Sequence, residues 1–306
     1  MLNFNTKTRS CFASYASYQD RWQQYKKMKI TTLTLLLLLC FSCKDRSQNA
    51  KTETQKTDNN KIVKPEFQSI IDSSDVKGSI LIYDLNKDIY YSNDFEWSNK
   101  GNLPASTFKI ANSIIGLETG VIENDSIIFK WDGEKKWLKN WEQDLILRDA
   151  FQFSCVHCYQ EVARRVGSKK MNDYVLKLNY GNLKIDSTNI DKFWLEGESR
   201  ISQMEQIDFL KRLYNFELPI SKRTESIMRN IMFIEETDQY KLSGKSGLSN
   251  NNGEYNGWFV GFVEFKTNTY LFASNLEPKK EFDIDSFIEK RLDLTLLGLR
   301  KLNVLK

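Results

Sequence analysis

Residues 104–109 read Pro-Ala-Ser-Thr-Phe-Lys and run straight into an apolar, helix-patterned stretch, Ile110 to Leu117. A helix opening there sets Ser106 and Lys109 three residues apart on one face, with Cβ atoms roughly 5–6 Å apart. At that spacing a lysine nitrogen can take a proton from a serine hydroxyl. The partial positive charge of a helix N-terminus favours the alkoxide and the anionic adduct that would follow. His157 is the single histidine of the chain, so an activated serine here points away from a Ser-His-Asp triad. The same Ser-x-x-Lys spacing recurs at Ser74 and Lys77, where Asp75 and Gly78 mark a turn into a strand and no amphipathic helix follows. Spacing alone therefore does not single out a site.

The elements that must position these residues are legible in outline. Glu66–Ser73 reads as a short helix, and Gly78–Leu85 with Asp88–Ser92 as a hairpin turning at Asn86-Lys87. Helical periods follow at Leu145–Phe153, Val156–Val166, Lys169–Leu178, Ser202–Leu213 and Lys222–Met232. Strands return at Tyr240–Ser243, Gly257–Phe265 and Thr269–Asn275, before a last helix across Ile284–Leu299. Strands at both ends of a helical middle predict an α+β sheet domain with an all-helical insertion over about residues 131–229.

At 306 residues the chain can bury a full core, and its net charge of +4 comes from scattered Lys and Arg. No dense basic stripe of a nucleic-acid binder is present. Lys26, Lys27 and Lys29 precede Ile30–Ser42, a charge-free run with five leucines at Leu35–Leu39. That run is too short for a permanent span and suits the apolar core of a signal peptide. The Cys-Phe-Ser-Cys that closes it resembles a bacterial lipoprotein signal with Cys43 as the lipidated residue. Cys40 stands where such signals usually carry Leu, and an ordinary cleaved signal is the alternative. Met28 competes with Met1 as the start. Residues 1–43 are thus read as an N-terminal extension and signal, 44–63 as a flexible polar tether, and 64–306 as the catalytic body. The expected location is the periplasm, with membrane contact only through a lipid on Cys43.

Four further signatures follow Ser106–Lys109 in order: Ser154-Cys155-Val156, Tyr180-Gly181-Asn182, Trp194-Leu195-Glu196-Gly197, and Lys245-Ser246-Gly247 at the end of a strand. With them the chain resembles the class D, oxacillinase-type serine β-lactamases of the penicillin-recognising superfamily. The resemblance covers residues 64–306 and implies a serine β-lactamase/transpeptidase-like fold, an antiparallel sheet flanked by helices. It implies hydrolysis of the β-lactam ring through an acyl-enzyme on Ser106. Lys109, carboxylated by CO2, would be the general base, and no metal or other cofactor is expected. Trp194 would hold the carbamate, Val156 would wall the pocket, and Ser154 would relay the proton. Lys245, Ser246, Gly247, Leu248 and Arg291 would form the substrate-binding side, with the backbone N–H groups of Ser106 and Leu248 as the oxyanion hole.

His157 stands where relatives often carry Trp and is read as an ordinary, partly buried helix histidine. Cys155 and Cys158 are read as helix-packing cysteines that an oxidising compartment could join, since two Cys and one His leave a zinc site a ligand short. Two other readings stay open: a relative that is acylated without turnover, such as a penicillin-binding protein or sensor domain, and an inert lipoprotein that keeps the scaffold for binding. Lactam spectrum and oligomeric state are not encoded in these patterns.

Overall fold

The structure is a computed structural model, and it describes residues 56–58, 60–279 and 282–305. The proposed signal and Cys43 lie outside the described residues. The short strands β1 (Lys56–Asp58) and β2 (Lys61–Val63) precede helix α1 (Pro65–Asp72). Strands β3 (Val76–Asp84) and β4 (Ile89–Ser92) then form the expected hairpin. Helix α2 (Phe95–Asn99) leads to a 3₁₀ turn, Ala105–Phe108, and helix α3 (Lys109–Glu118).

A two-stranded ribbon, β5 (Ile128–Phe129) with β6 (Leu145–Ile146), opens the helical middle. Helices α4 (Leu147–Gln152), α5 (Val156–Val166), α6 (Ser168–Leu178), α7 (Gln203–Tyr214) and α8 (Lys222–Met232) follow. The chain ends in β7 (Phe233–Glu236), β8 (Lys241–Asn251), β9 (Glu254–Glu264), β10 (Thr269–Pro278) and α9 (Ile284–Lys301).

These strands form one eight-stranded sheet in the order β1-β2-β4-β3-β10-β9-β8-β7. The pairs are antiparallel except β2 with β4, which is parallel. The end of the stretch read as a tether is thus part of the sheet. Both faces of the sheet are covered. On β3, Ile80 and Ile82 pack with Phe67 of α1 and Phe287 and Leu294 of α9, while Leu81 and Tyr83 join the helical body. Burial on both faces explains why β3 reads as an unbroken apolar run rather than an alternation.

Two expectations shift. The helix predicted from Leu145 begins at Leu147, because Leu145 pairs with Phe129 and Ile146 is extended (ψ 165°). Lys245-Ser246-Gly247 lies within β8 rather than at its end. The strand runs on to Asn251 and reverses through Asn252-Gly253, both at positive φ (55° and 91°). Asn-Gly is the pair a two-residue hairpin loop favours, since it tolerates left-handed backbone at both positions. Nor does the helical middle pack apart from the sheet. Gln203 Nε2 at the start of α7 donates to Ser79 O at 2.9 Å and to Ala273 O. No helix among the described residues is long and apolar enough to cross a membrane.

Candidate active site

Ser106 lies inside the 3₁₀ turn, not at the mouth of the helix, and this sharpens the predicted geometry. Three residues per turn bring side chains i and i+3 into register, and Lys109 Nζ lies 3.0 Å from Ser106 Oγ in hydrogen-bond contact. Ser106 is 7% exposed and Lys109 is fully buried. Tyr159 of α5 lies beneath the amine, its ring centroid 5.2 Å from Nζ. Burial brings the Lys109 amine down from 10.5 to about 7. Stripped of water, the amine is costly to keep charged.

The turn itself is held under strain. Ala105, just before Ser106, has φ +52°, a conformation that disfavours any side chain with a Cβ. Ala105 N–H donates to Trp194 O at 2.8 Å, and Thr107 Oγ1 donates to Pro104 O at 2.6 Å. Thr107 Oγ1 in turn accepts from Gln206 Nε2 of α7 at 2.9 Å, with Tyr180 Oη nearby at 3.5 Å. Gly181 and Asn182 extend that support. Gly181 sits at φ +63°, where an added Cβ would fall 2.7 Å from Arg200 O, and Asn182 bridges to Arg200.

Trp194 stacks on Phe108 with ring centroids 5.6 Å apart. Its indole Nε1 is buried and has no hydrogen-bond acceptor. A buried unpaired donor costs about 1–3 kcal/mol, so this N–H is poised for an acceptor that the side chains themselves do not supply.

Ser154 and Lys245 meet across 91 residues of chain. Ser154 (φ +54°) links α4 to α5, and Lys245 Nζ donates to its Oγ at 2.5 Å and to Ser246 O at 3.0 Å. Lys245 is 3% exposed, with Nζ 5.7 Å from the centroid of the Phe151 ring. Its pKa is held well below the ordinary lysine value, first by burial and then by the positive charges of Lys109 and Arg291. Strand β8 can approach the serine turn because residue 247 is glycine. A Cβ there would lie 3.2 Å from Thr107 Cγ2 and 3.3 Å from Ala105 Cβ and Pro104 O. Arg291 of α9 reaches the same stretch, its Nη1 donating to Gly247 O at 2.5 Å. Ser246 and Leu248 are half-buried on β8, and Val156 is half-buried against the helical core.

The structure therefore brings Ser106, Lys109, Ser154 and Lys245 into one cluster, with Trp194 at its wall and Arg291 behind Gly247. Cys155 and Cys158 are joined by a disulfide with Cα atoms 5.5 Å apart, rather than packing as free thiols. His157 rests edge-on against Trp141 at 5.7 Å, and burial lowers its pKa. The other Ser-x-x-Lys separates: Ser74 Oγ donates to Ile70 O, and Lys77 pairs with Glu277 at 2.9 Å. Sequence reasoning missed Tyr159 beneath the lysine and Gln206 behind Thr107. No local signal marks either, since Gln206 lies 99 residues from its partner.

A family model described as the penicillin-binding protein transpeptidase domain matches residues 50–289. The OXA-10 β-lactamase of Pseudomonas aeruginosa is 46% identical over 193 residues, covering 62% of this chain and 72% of that protein. The OXA-48 β-lactamase of Klebsiella pneumoniae is 39% identical over 201 residues, covering 66% and 76%. A solved class D β-lactamase from Nostoc superposes with a TM-score of 0.75 at 40% identity, covering 78% of this chain and 99% of that one. A buried serine–lysine pair on a strained turn, four further motifs beside it and relatives of this similarity agree: the chain belongs to the class D serine β-lactamases, within the penicillin-binding protein transpeptidase family.

Proposed function

We propose that this protein hydrolyses penicillin-type β-lactams through an acyl-enzyme on Ser106, with Lys109 in its carboxylated form as base for both acylation and deacylation. The observation that carries this reading is a fully buried lysine within hydrogen-bond distance of the nucleophile, its amine brought down to about 7 by burial. Only the uncharged amine can add CO2. The unpaired indole N–H of Trp194, packed against Phe108, fits as the donor that would retain the carbamate. When bound, CO2 supplies an anionic base beside Ser106 Oγ, a contribution typically worth about 10²–10⁴ in rate.

The chain's own groups do the rest. Ser106 Oγ attacks the lactam carbonyl carbon and gives up its proton to the base. The backbone N–H groups of Ser106 and Leu248, on the two segments that Gly247 lets approach, face the developing oxyanion. The carbonyl–nitrogen bond breaks, and the ring nitrogen takes a proton through Ser154, whose hydroxyl Lys245 holds. Arg291 provides the positive charge for the substrate carboxylate, and Lys245 and Ser246 provide N–H and hydroxyl donors beside it. Water then attacks the ester, and Ser106 leaves with its proton restored. Val156 and Phe108 keep the amine dry.

Nitrocefin turnover, measured with and without bicarbonate, tests the proposal alongside Ser106→Ala. Steady hydrolysis that Ser106→Ala abolishes supports it. A burst without turnover would show an acylation-only relative instead. We further infer export with lipid on Cys43, from the apolar run and cysteine described above. Mass spectrometry of the mature N-terminus decides that, and an unmodified residue there would remove the anchor.

A further inference from the structure

Ala105 at φ +52° makes the serine turn unfavourable by itself, so its aim depends on restraints from outside. One is the bond from Ala105 N–H to Trp194 O. The other lies upstream, at the carbonyl of Leu103. Trp258 Nε1 donates to Leu103 O at 2.8 Å, and Asn256 Nδ2 donates to the same oxygen at 2.9 Å. Both acceptor positions of that carbonyl are thereby filled.

Asn256 is anchored in turn. Its Oδ1 accepts from Asn275 Nδ2 at 2.6 Å, and Asn275 Oδ1 accepts from Asn102 Nδ2 and Trp97 Nε1, both at 3.0 Å. Asn102, Asn256, Asn275 and Trp258 are all buried. A chain of amides thus crosses from β10 through β9 to the residue ahead of Pro104-Ala105-Ser106. Buried amides of this kind cost free energy unless paired, and here the pairing converges on one carbonyl three residues from the nucleophile.

We propose that Asn256 and Trp258 are positioning residues for Ser106. They clamp the Leu103 carbonyl so that the strained turn presents Oγ to Lys109 and to the lactam carbonyl. The inference rests on Ser106 being the nucleophile. Neither residue touches substrate in this scheme, so loss of the clamp slows acylation and leaves non-covalent binding alone. Misplacement by about 1 Å can cost about 10²-fold in rate, and the loss of one of two donors is expected to cost about tenfold.

The test uses the purified full chain and four variants: Asn256→Leu, Trp258→Phe, Ser106→Ala and Thr295→Val. The last removes a buried hydroxyl bonded to Ser274 Oγ and to the Arg291 backbone carbonyl, away from the serine turn, and serves as a destabilised control. Acylation rate constants come from the nitrocefin burst. Lactam dissociation constants come from fluorescence titration, with each clamp variant combined with Ser106→Ala. The clamp is supported if Asn256→Leu and Trp258→Phe each acylate about tenfold more slowly, bind lactam as Ser106→Ala does, and slow more than Thr295→Val at matched melting temperature. It is overturned if either acylates within twofold of the parent, or if Thr295→Val loses as much. Hydrolysis surviving in Ser106→Ala would instead overturn the nucleophile assignment on which the clamp depends.

Discussion

Acidifying the protein from pH 8.5 to 5.5 should silence it through one amine. With the Lys109 pKa at about 7, the neutral fraction falls from about 97% to about 3%, roughly thirtyfold. An ordinary exposed lysine would be only about 0.1% neutral at pH 7.5, against roughly three quarters here. CO2 adds only to the neutral form, so its binding pulls the midpoint of the profile below 7. CO2 at ten times its dissociation constant moves that midpoint by about one pH unit.

The same group acts on stability. Its folded pKa lies below its unfolded value, so between pH 7 and 10.5 the unfolded chain holds a proton that the folded one has released. Stability from Lys109 therefore rises with pH across that window. The full penalty, about 5 kcal/mol, is present below pH 7 in CO2-free protein. Initial nitrocefin rates from pH 5 to 9, in stripped and bicarbonate-containing buffer, give the profile, and ¹³C spectra of protein equilibrated with labelled bicarbonate report the carbamate. A flat profile, a midpoint that ignores bicarbonate, or full turnover without a carbamate signal would refute the reasoning.

Other variants probe the cluster separately. Trp194→Phe keeps the stacked ring and deletes the orphan N–H. It should leave CO2-free protein as stable or more so in urea unfolding, while weakening CO2 retention so that bicarbonate restores part of its lost turnover; no bicarbonate response would count against the indole's role. Gly247→Ala places a methyl 3.2–3.3 Å from the serine turn, so β8 must shift by a few tenths of an ångström, and acylation should fall at least tenfold with little change in melting temperature. Gly261→Ala would put a Cβ 2.1 Å from Ser243 O in the middle of the β8–β9 pair, and soluble expression should collapse. Replacing Cys155 and Cys158 by Ala opens a four-residue ring, for which the loop-entropy relation gives a loss of about 2 kcal/mol. Urea unfolding reads that loss, and turnover should drop as well because the ring abuts Ser154.

The Ser106–Lys109 pairing was legible because it is local: three residues on a helical turn meet wherever that turn sits. Helices with strong periods, such as Val156–Val166 and Lys222–Met232, were readable to the residue for the same reason. The true end of β8 was missed: the sequence reads as a strand closing by Gly247, yet β8 runs to Asn251 and turns at Asn252-Gly253, whose left-handed backbone the polar run before it obscured. The start of α4 was not readable, since only pairing with Phe129 tells Leu145 to extend.

What no local pattern contains is water exclusion. Ser74–Lys77 and Ser106–Lys109 share one spacing, yet the Lys77 side chain is 59% exposed and paired with Glu277, while Lys109 is fully buried over the Tyr159 ring. An amine in water keeps its proton at pH 7, and one denied water sheds it. The residues that deny it water come from segments up to fifty positions away, and only their packing turns a recurring spacing into a base.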